Sequence, residues 1–255
     1  MENDRKIAVL IDADNVSDKY IKYIFDEITN HGIPTYKRIY GDWTKPQLSS
    51  WKNVLLNYSI TPIQQYSYTT GRNSTDAALI IDAMDILYSD NVDGFCIVSS
   101  DSDFTRLAAR LREAGMYVVG MGEKKTPMPF ISACEIFKYL EVLAASPANE
   151  NEPRNGEKVG AAPPHAETMA SIDELIKTIQ VIVNDTSDDD GWAFLGEVGK
   201  ILNKRYPDFD TRNYGHTKLT PLISSLKQFE IQSRKTNHPY ITHKYIKNKK
   251  KNDVK

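Results

Sequence analysis

The first 145 residues alternate short apolar runs with amphipathic segments, and this alternation constrains the fold more than any other feature of the chain. The apolar runs that predict strands are Ile7–Ile11, Thr35–Tyr40, Ser59–Gln64, Phe95–Ser99 and Tyr117–Gly120. The segments that predict helices lie between them, at about 18–30, 45–58, 75–89 and 104–114. Strands separated by helical segments of this length form βαβ units, whose parallel strands are covered on both faces. We therefore predict an α/β domain with a parallel central sheet over residues 1–145.

The rest of the chain divides into a polar segment, a smaller folded unit and a basic tail. Residues 146–166 contain almost no bulky apolar side chains and no periodicity, which predicts a flexible linker. Residues 167–246 contain three helix-like segments, the last at about 217–229, followed by a short hairpin over 231–242. Three helices and a hairpin resemble a winged helix, an analogy at the level of the fold. Residues 247–255 form the predicted basic tail.

Charge is distributed unevenly along the chain, although the formal net charge is only −2. The stretch from Arg205 to Lys255 holds twelve Lys or Arg residues and four Asp or Glu residues. This stretch therefore carries about +8, and the residues before it carry about −10. A basic region of this size favours contact with a polyanion, through phosphate attraction that weakens as salt is added.

Cysteine content and hydropathy lead us to expect a cytoplasmic protein with no membrane partner. Cys96 and Cys134 are the two cysteines in 255 residues, too few for a disulfide framework or a zinc site. We expect both thiols to be reduced and buried. No apolar stretch reaches the ~18 residues that a membrane span needs, and no secretory signal follows Met1.

Carboxylates follow two of the predicted strands. Ile7–Ile11 leads directly into Asp12–Asn15, and Phe95–Ser99 is followed by Asp101 and Asp103. In open parallel sheets, ligands bind beyond the carboxyl ends of the strands, where the strand order reverses. An order of 3-2-1-4-5, which we assume, would make the first and fourth strands neighbours. Both acidic turns would then meet at one edge of the sheet.

Asp76 adds a carboxylate from the helix predicted over 75–89. At about 100° per residue it falls at the start of the apolar stripe of this helix, so its side chain points inward, whereas Asp82 and Asp85 point away. An inward carboxylate is unfavourable unless it is paired or bound to a cation. Its simpler role is that of an acid in a first helical turn, where the helix dipole favours negative charge.

Asp12, Asp76, Asp101 and Asp103 would together form a crowded acidic pocket. Like charges repel, so such a cluster requires cations or protonated groups. Carboxylate oxygens suit Mg²⁺ or Mn²⁺, and a bound ion of this kind orients water and stabilises charge on a phosphate. The sequence therefore predicts a divalent-metal site that hydrolyses phosphodiester bonds.

Several polar residues near these acids also have plain structural roles. Asn15 is a candidate helix cap, and Asp103 is a candidate N-cap of a helix beginning at Phe104. Asp14 and Ser100 fit ordinary turn positions. Asp12 and Asp101 are harder to explain in this way, because each follows a strand of the buried type.

Three segments of the chain resemble the NYN-domain family, a branch of the PIN-like nucleases. They are Leu10–Asn15, Gly71–Asp82 and Ser99–Phe104 with Leu111–Gly115, and the resemblance covers about residues 5–142. It implies a PIN-like three-layer α/β/α fold, a ribonuclease that needs Mg²⁺ or Mn²⁺, and a possible homodimer. The resemblance implies these catalytic acids: Asp12, Asp76, Asp101 and Asp103. It also implies Asp12, Asp76 and Asp101 as metal ligands, Asn15 and Ser100 as supporting residues, and Arg72 as an RNA contact.

The second unit resembles the OST-HTH, or LOTUS, domain. The matching stretches are Gly191–Gly199 and Tyr206–Leu219. The family implies RNA binding or, in some members, binding of a protein partner. Arg212, His216 and Lys218 fall between two predicted helices. A winged helix would present side chains at this position to a polyanion. Alternatively, the three residues form a solvated basic loop. We expect the aromatic residues of this unit to lie in its core rather than to stack on bases, namely Trp192, Phe194, Phe209 and Tyr214.

Two other functions compete with the nuclease. A phosphatase of the haloacid-dehalogenase type would use Asp12 as nucleophile and Asp14 as acid, since Ile7–Asp14 has the strand-Asp-x-Asp pattern. The later basic motif of such enzymes is not evident, and the second unit would be unexplained. A non-catalytic RNA-binding scaffold is the alternative from another class. A P-loop NTPase is excluded, because no G-x-x-x-x-G-K-[ST] motif occurs.

Overall fold

The computed structural model describes residues 4–66, 74–145, 170–235 and 242–249. The chain divides into two compact units, Met1–Pro153 and Arg154–Lys255. The predicted linker over 146–166 and the predicted RNA contact Arg72 lie outside the described residues.

The first unit is built on a six-stranded parallel sheet of order β3-β2-β1-β4-β5-β6. Its strands are β1 (Lys6–Asp12), β2 (Ile33–Gly41), β3 (Thr61–Gln64), β4 (Gly94–Val98), β5 (Tyr117–Gly122) and β6 (Ile136–Tyr139). The assumed order of the first five strands is confirmed, including the pairing of β1 with β4. Sequence reasoning missed β6, which lies at the edge of the sheet.

Within the described residues, six helices accompany this sheet. They are α1 (Ile21–Ile28), α2 (Lys52–Leu55), α3 (Ser74–Tyr88), α4 (Thr105–Glu113), α5 (Met128–Ala133) and α6 (Leu140–Ala144). Short 3₁₀ turns precede three of them, at Asp18–Tyr20, Pro46–Trp51 and Ser102–Phe104. Helix α4 ends where Gly115 adopts a left-handed φ of 81°, a backbone conformation that glycine accepts without steric penalty.

The core of the first unit lies on the central strands. Strands β1 and β4 are buried along almost their whole length, which explains their continuous apolar runs. Cys96 and Cys134 are free and fully buried, as expected, and burial raises the pKa of the Cys134 thiol to about 12. The parallel sheet flanked by helices confirms the predicted PIN-like α/β/α fold.

The second unit is a small α+β fold of the predicted winged-helix type. Its elements are α7 (Ile172–Thr186), β7 (Ala193–Phe194), α8 (Leu195–Arg205), α9 (Leu219–Ser225), β8 (Phe229–Lys235) and β9 (Thr242–Asn248). Helix α7 begins with a capping box, in which Ser171 and Glu174 bond each other's backbone N–H. Strands β8 and β9 form the hairpin, and β7 pairs with the other edge of β9.

Two predicted boundaries in this unit are wrong. The helix predicted over 217–229 ends at Ser225, and Phe229 already begins β8 as a buried core residue. Lys247 was assigned to the basic tail, but it belongs to β9, where it pairs with Glu230. The tail therefore starts later than predicted, since strand pairing extends to Asn248. Among the described helices, none is both long and apolar enough to cross a membrane.

Candidate active site

The site is organised by two neighbouring strand ends. Ile11 of β1 is in register with Val98 of β4, so the residues that follow, Asp12 and Ser99, lie side by side. Both are fully buried. The Ser99 hydroxyl donates to Asp12 Oδ2 at 2.7 Å and accepts from the backbone N–H of Asp101 at 3.1 Å. One side chain thus joins the two acidic turns.

Asp12 is the most enclosed acid of the site, with an exposed fraction of 0%. Its Oδ2 accepts from Ser99 and also from Asn15 Nδ2 at 2.7 Å, and its Oδ1 accepts from the backbone N–H of Asp14 at 3.0 Å. Burial raises the pKa of Asp12, and the hydrogen bonds from Ser99 and Asn15 partly offset this increase. The carboxylate is therefore held rigidly, with three donors directed at it.

Three other carboxylates complete the site, and of these Asp103 is exposed whereas Asp76 and Asp101 are partly buried. One oxygen each of Asp76, Asp101 and Asp103 lies within 4.8 Å of the other two. Asp76 stands in the first turn of α3, and the other two lie on the turn after β4. We call these three residues the acidic cluster. Asp12 is not one of the three.

Burial and electrostatic repulsion both act on the carboxyl group of Asp76. Partial burial and the charges of Asp12, Asp101, Asp103 and Asp14 raise its pKa from 3.8 to about 6. At neutral pH the site therefore holds several negative charges at close range, and its geometry favours a cation.

Asp14 carries a small network of its own at the mouth of the site. Its two oxygens meet Lys45 Nζ at 3.2 Å and the hydroxyl of buried Thr75 at 3.1 Å. Beside it opens a cleft of about 620 Å³, whose lining includes Asn15, Lys45 and Trp51. Clefts of this size are typical of ligand sites.

The two predicted supporting residues make different contacts. Asn15 Nδ2 donates to Asp12, whereas the Ser100 hydroxyl accepts from the backbone N–H of Glu123 at 2.8 Å, just after β5. Ser99 takes the position beside Asp12. Sequence reasoning missed it, because the register that sets Ser99 beside Asp12 comes from the pairing of β1 with β4 and not from the local sequence.

The capping assignment near β4 is also corrected. Asp103 was a candidate N-cap, but Asp101 is the residue whose side chain accepts from the backbone N–H of Asp103, at 2.9 Å. The turn over Ser102–Phe104 separates this cap from α4. Asp101 therefore combines a capping hydrogen bond with a place in the acidic cluster.

The predicted polyanion contacts of the second unit lie in and after a 3₁₀ turn, Thr211–Tyr214. The Arg212 guanidinium is paired with Asp210, with contacts of 2.9 and 2.7 Å. His216 is half-buried, and Lys218 is exposed at the N-cap of α9.

The expectation that four aromatic side chains lie in the core holds for two of them. Phe209 is buried and Tyr214 packs against the core, but Trp192 is half-buried outside it and Phe194 is 38% exposed. Strand β7 explains the error, because it turns Ala193 inward and Phe194 outward.

The solved structures that resemble parts of the chain include two proteins. One is a protein of unknown function from Vibrio parahaemolyticus RIMD 2210633, with 20% identity, a TM-score of 0.45, and coverage of 54% of this chain and 93% of that protein. The other is an uncharacterized protein from Nitrosomonas europaea, with 30% identity, a TM-score of 0.29, and coverage of 39% and 94%. With TM-scores below 0.5, neither likeness carries an argument. No curated protein matches the chain.

Family comparison agrees with the two units of the structure. The NYN domain matches residues 6–141, which include β1, α3 and the turn after β4. The OST-HTH/LOTUS domain matches residues 170–241. An NYN domain implies a nuclease-type fold, and an OST-HTH domain suggests RNA binding. The chain therefore belongs to the NYN-domain family and carries an OST-HTH/LOTUS domain after its NYN domain.

Proposed function

We propose that the protein is a metal-dependent ribonuclease that hydrolyses RNA phosphodiester bonds at the acidic cluster. The observation that carries this proposal is that Asp76 of α3 approaches Asp101 and Asp103, on the turn after β4, so that one oxygen of each lies within 4.8 Å of the others. The cluster lies beyond the ends of two neighbouring parallel strands, where ligands bind in open α/β sheets. The nuclease-type fold and the OST-HTH domain support RNA as the substrate.

The donor set fits a hard divalent cation, Mg²⁺ or Mn²⁺. All three candidate ligands are carboxylates, and opposite ligands of an octahedral ion with bonds of ~2.1 Å lie about 4.2 Å apart. Oxygens within 4.8 Å of one another therefore need only small side-chain movements. Asp76, Asp101 and Asp103 would hold the ion, which when bound supplies an activated water and stabilises charge on the scissile phosphate.

The assignment of Asp12 as a metal ligand gives way to a different role in this proposal. Its two oxygens already accept three hydrogen bonds, out of about four positions that a carboxylate offers. We propose that Asp12 fixes the two turns through Ser99 and Asn15, and adds negative charge behind the cluster. Asp103 takes its place among the ligands.

The cleft beside Asp14 offers the substrate a place, and Asp14 is hydrogen-bonded to Thr75, the residue before Asp76 of the cluster. Lys45 reaches this cleft and is 40% exposed, so its ammonium can exchange Asp14 for an RNA phosphate. Surface ion pairs of this kind contribute ~1 kcal/mol or less, which makes the exchange easy. Phosphate contact by Lys45 would hold the strand while the acidic cluster acts on a neighbouring linkage.

The competing phosphatase hypothesis requires Asp12 to attack a phosphorus atom. Asp12 has no exposed surface, and three donors hold its oxygens, so a substrate would have to displace that network. This arrangement favours the nuclease.

The test is cleavage of end-labelled single-stranded RNA by the full chain in Mn²⁺, in EDTA, and by Asp101→Asn in Mn²⁺. We expect cleavage by the wild-type protein in Mn²⁺, and a decrease of at least ~100-fold in the other two reactions. Asp85→Asn is the matched control, because Asp85 is an exposed acid of α3 outside the cluster.

Three outcomes contradict the proposal. Equal cleavage by Asp101→Asn would assign the activity to another site or a contaminant. RNA binding without cleavage in either metal would favour the scaffold. A phosphorylated Asp12 would identify the phosphatase.

A further inference from the structure

The solvent face of the β7-β9-β8 sheet carries aromatic rings that its core does not use. Ala193, Ile231 and Ile246 point toward the core of the second unit. The alternate positions, Phe194 and Tyr245, are paired across β7 and β9 on the opposite face. Their rings lie 5.8 Å apart between centroids. Exposed aromatic rings on a sheet indicate a binding surface when cations accompany them.

Cations do accompany these rings. The Arg234 guanidinium lies 4.3 Å from the centroid of the Tyr245 ring and 5.7 Å from that of Trp192. Lys247 Nζ lies 5.7 Å from the same Trp192 ring. We call Trp192, Phe194 and Tyr245, with Arg234 and Lys247, the aromatic platform. It is distinct from the Arg212–Lys218 segment, since it lies on other elements.

The ring of Phe194 is held in place by the element that follows it. A Cβ added at Gly196 would lie 2.7 Å from the ring, so this glycine of α8 lets the ring lie against the backbone. His243 packs beside it, with ring centroids 4.9 Å apart. Phe194 is therefore fixed in orientation while 38% of it stays exposed. A fixed ring loses little conformational entropy when a flat partner stacks on it.

Arg234 is available to a phosphate despite its own acidic partner. It meets Asp188 at 3.3 Å, but both side chains are largely exposed, at 36% and 43%. Exposed pairs of this kind are weak, so an incoming phosphate can replace the carboxylate. A guanidinium also offers its plane to bases, which is a common mode of single-strand recognition.

We infer that the aromatic platform binds unpaired RNA nucleotides, with bases stacking on its rings and phosphates meeting Arg234 and Lys247. This inference rests on the proposed action on RNA, and it adds where and in what form the RNA is bound. Stacking requires bases that are not paired, so the platform selects single-stranded RNA over duplex. A protein partner is the less favoured occupant, because three rings between cations make too small an apolar area for a stable protein interface.

The test measures binding without cleavage, using the full-length Asp101→Asn protein in EDTA and a labelled 12-nucleotide single-stranded RNA. Phe194→Ala and Tyr245→Ala should each weaken binding about 5- to 150-fold, the range expected for losing one stacked base. Phe194→Trp should retain binding, because it keeps a flat ring. Tyr88→Ala is the matched control, since Tyr88 is a 73% exposed ring in the first unit.

Salt dependence separates the roles of rings and cations. Arg234→Gln should reduce the slope of log affinity against log salt by about 0.7, the value for one phosphate contact with a single strand. Phe194→Ala should leave the slope unchanged. Lys200→Gln, at an exposed position of α8, should change neither slope nor affinity.

The inference is overturned if Phe194→Ala and Tyr245→Ala, folded as judged by unchanged melting temperatures, bind RNA as tightly as the parent protein. It is also overturned if duplex RNA competes as well as single strands, or if the parent protein binds no RNA. The proposed nuclease activity is tested separately, because wild-type cleavage in Mn²⁺ is measured in a different assay. Cleavage with unaffected platform variants would reject the platform alone.

Discussion

Ser99 connects the two halves of the acidic site through one hydroxyl. It donates to Asp12 and accepts from the backbone N–H of Asp101, so the carboxylate at the end of β1 and the turn after β4 share an anchor. Asp12 and Ser99 are both fully buried, which gives this anchor a fixed geometry. Residues that orient metal-binding carboxylates in this way commonly affect activity nearly as much as the ligands themselves.

Ser99→Ala should lower RNA cleavage in Mn²⁺ by about 10- to 100-fold, because Asp12 loses a donor and Asp101 loses its anchor. The initial rate at saturating RNA is the measurement. Ser102→Ala, an exposed position in the same turn, should retain the wild-type rate. Equal rates for Ser99→Ala and wild type would remove Ser99 from the site.

Asp76→Asn should stabilise the metal-free protein at neutral pH. The pKa of Asp76 is about 6 in the folded protein against an ordinary value of 3.8, so its ionisation disfavours the fold. This loss of stability develops as the pH rises from about 4 to about 6, and it persists above that range. Removing the charge should raise the melting temperature by about 1–3 °C at pH 7.5 in EDTA and leave it unchanged at pH 4.

The pH dependence distinguishes this effect from simple repacking. Asp85→Asn, on the exposed side of α3, should melt like the wild type at both pH values. A stabilisation by Asp76→Asn that is equal at pH 4 and pH 7.5 would contradict the electrostatic explanation.

At the scale of elements, α3 is attached to the sheet by a charged contact that sequence periodicity did not predict. Asp82 was expected to point away from the apolar stripe, but it contacts both Arg38 and Tyr40 of β2. Burial and the charge of Asp82 raise the pKa of Tyr40, so its hydroxyl stays protonated and donates to the carboxylate. The contact fixes the helix that presents Asp76.

Asp82→Ala should lower the free energy of unfolding by about 1–3 kcal/mol, because it leaves partly buried donors of Arg38 and Tyr40 without an acceptor. Urea unfolding is the measurement. Asp85→Ala, three residues further along the same helix, should change the free energy by less than ~0.5 kcal/mol. Equal values for the two variants would contradict the anchoring role of Asp82.

The predictable elements were those with long periodic signals. Strands β1 to β5 carry apolar runs bounded by turns. The helical segments between them predicted a parallel sheet that is covered on both of its faces. Strand β6 runs directly into α6, so no turn marks its end, and β7 has only two residues, too few for periodicity to register. Because β7 was not predicted, Phe194 was wrongly expected in the core. Only the pairing of β7 with β9 determines which way its ring points.

The candidate site was predictable in its residue types and its location, and less so in its contacts. Asp76, Asp101 and Asp103 come together as expected. The burial of Asp12 and the turning of Ser100 toward Glu123 depend on the neighbouring strand β5 and on the exact course of the loop. Local sequence patterns contain no information of that kind.

At the scale of the whole molecule, acidic and basic functions are separated along the chain. The NYN domain holds the acidic cluster, and the excess of Lys and Arg lies from Arg205 onward. In the proposed function, such a separation would let one unit attract RNA phosphates while the other keeps a site negative enough for a cation.

Removing residues 165–255 should weaken the affinity for single-stranded RNA at least about tenfold, because the basic region and the aromatic platform are lost together. Binding of Mn²⁺ should stay within about twofold of wild type, since the acidic cluster lies entirely in the first unit. Anisotropy with labelled RNA and calorimetric Mn²⁺ titration measure the two affinities. Unchanged RNA affinity would reject the accessory role of the second unit.

The most direct test of the central claim is the anomalous scattering of Mn²⁺ in crystals of the full chain. We expect a peak within ~2.0–2.3 Å of carboxylate oxygens from Asp76, Asp101 and Asp103. Well-ordered carboxylates with no peak between them at saturating Mn²⁺ would contradict it.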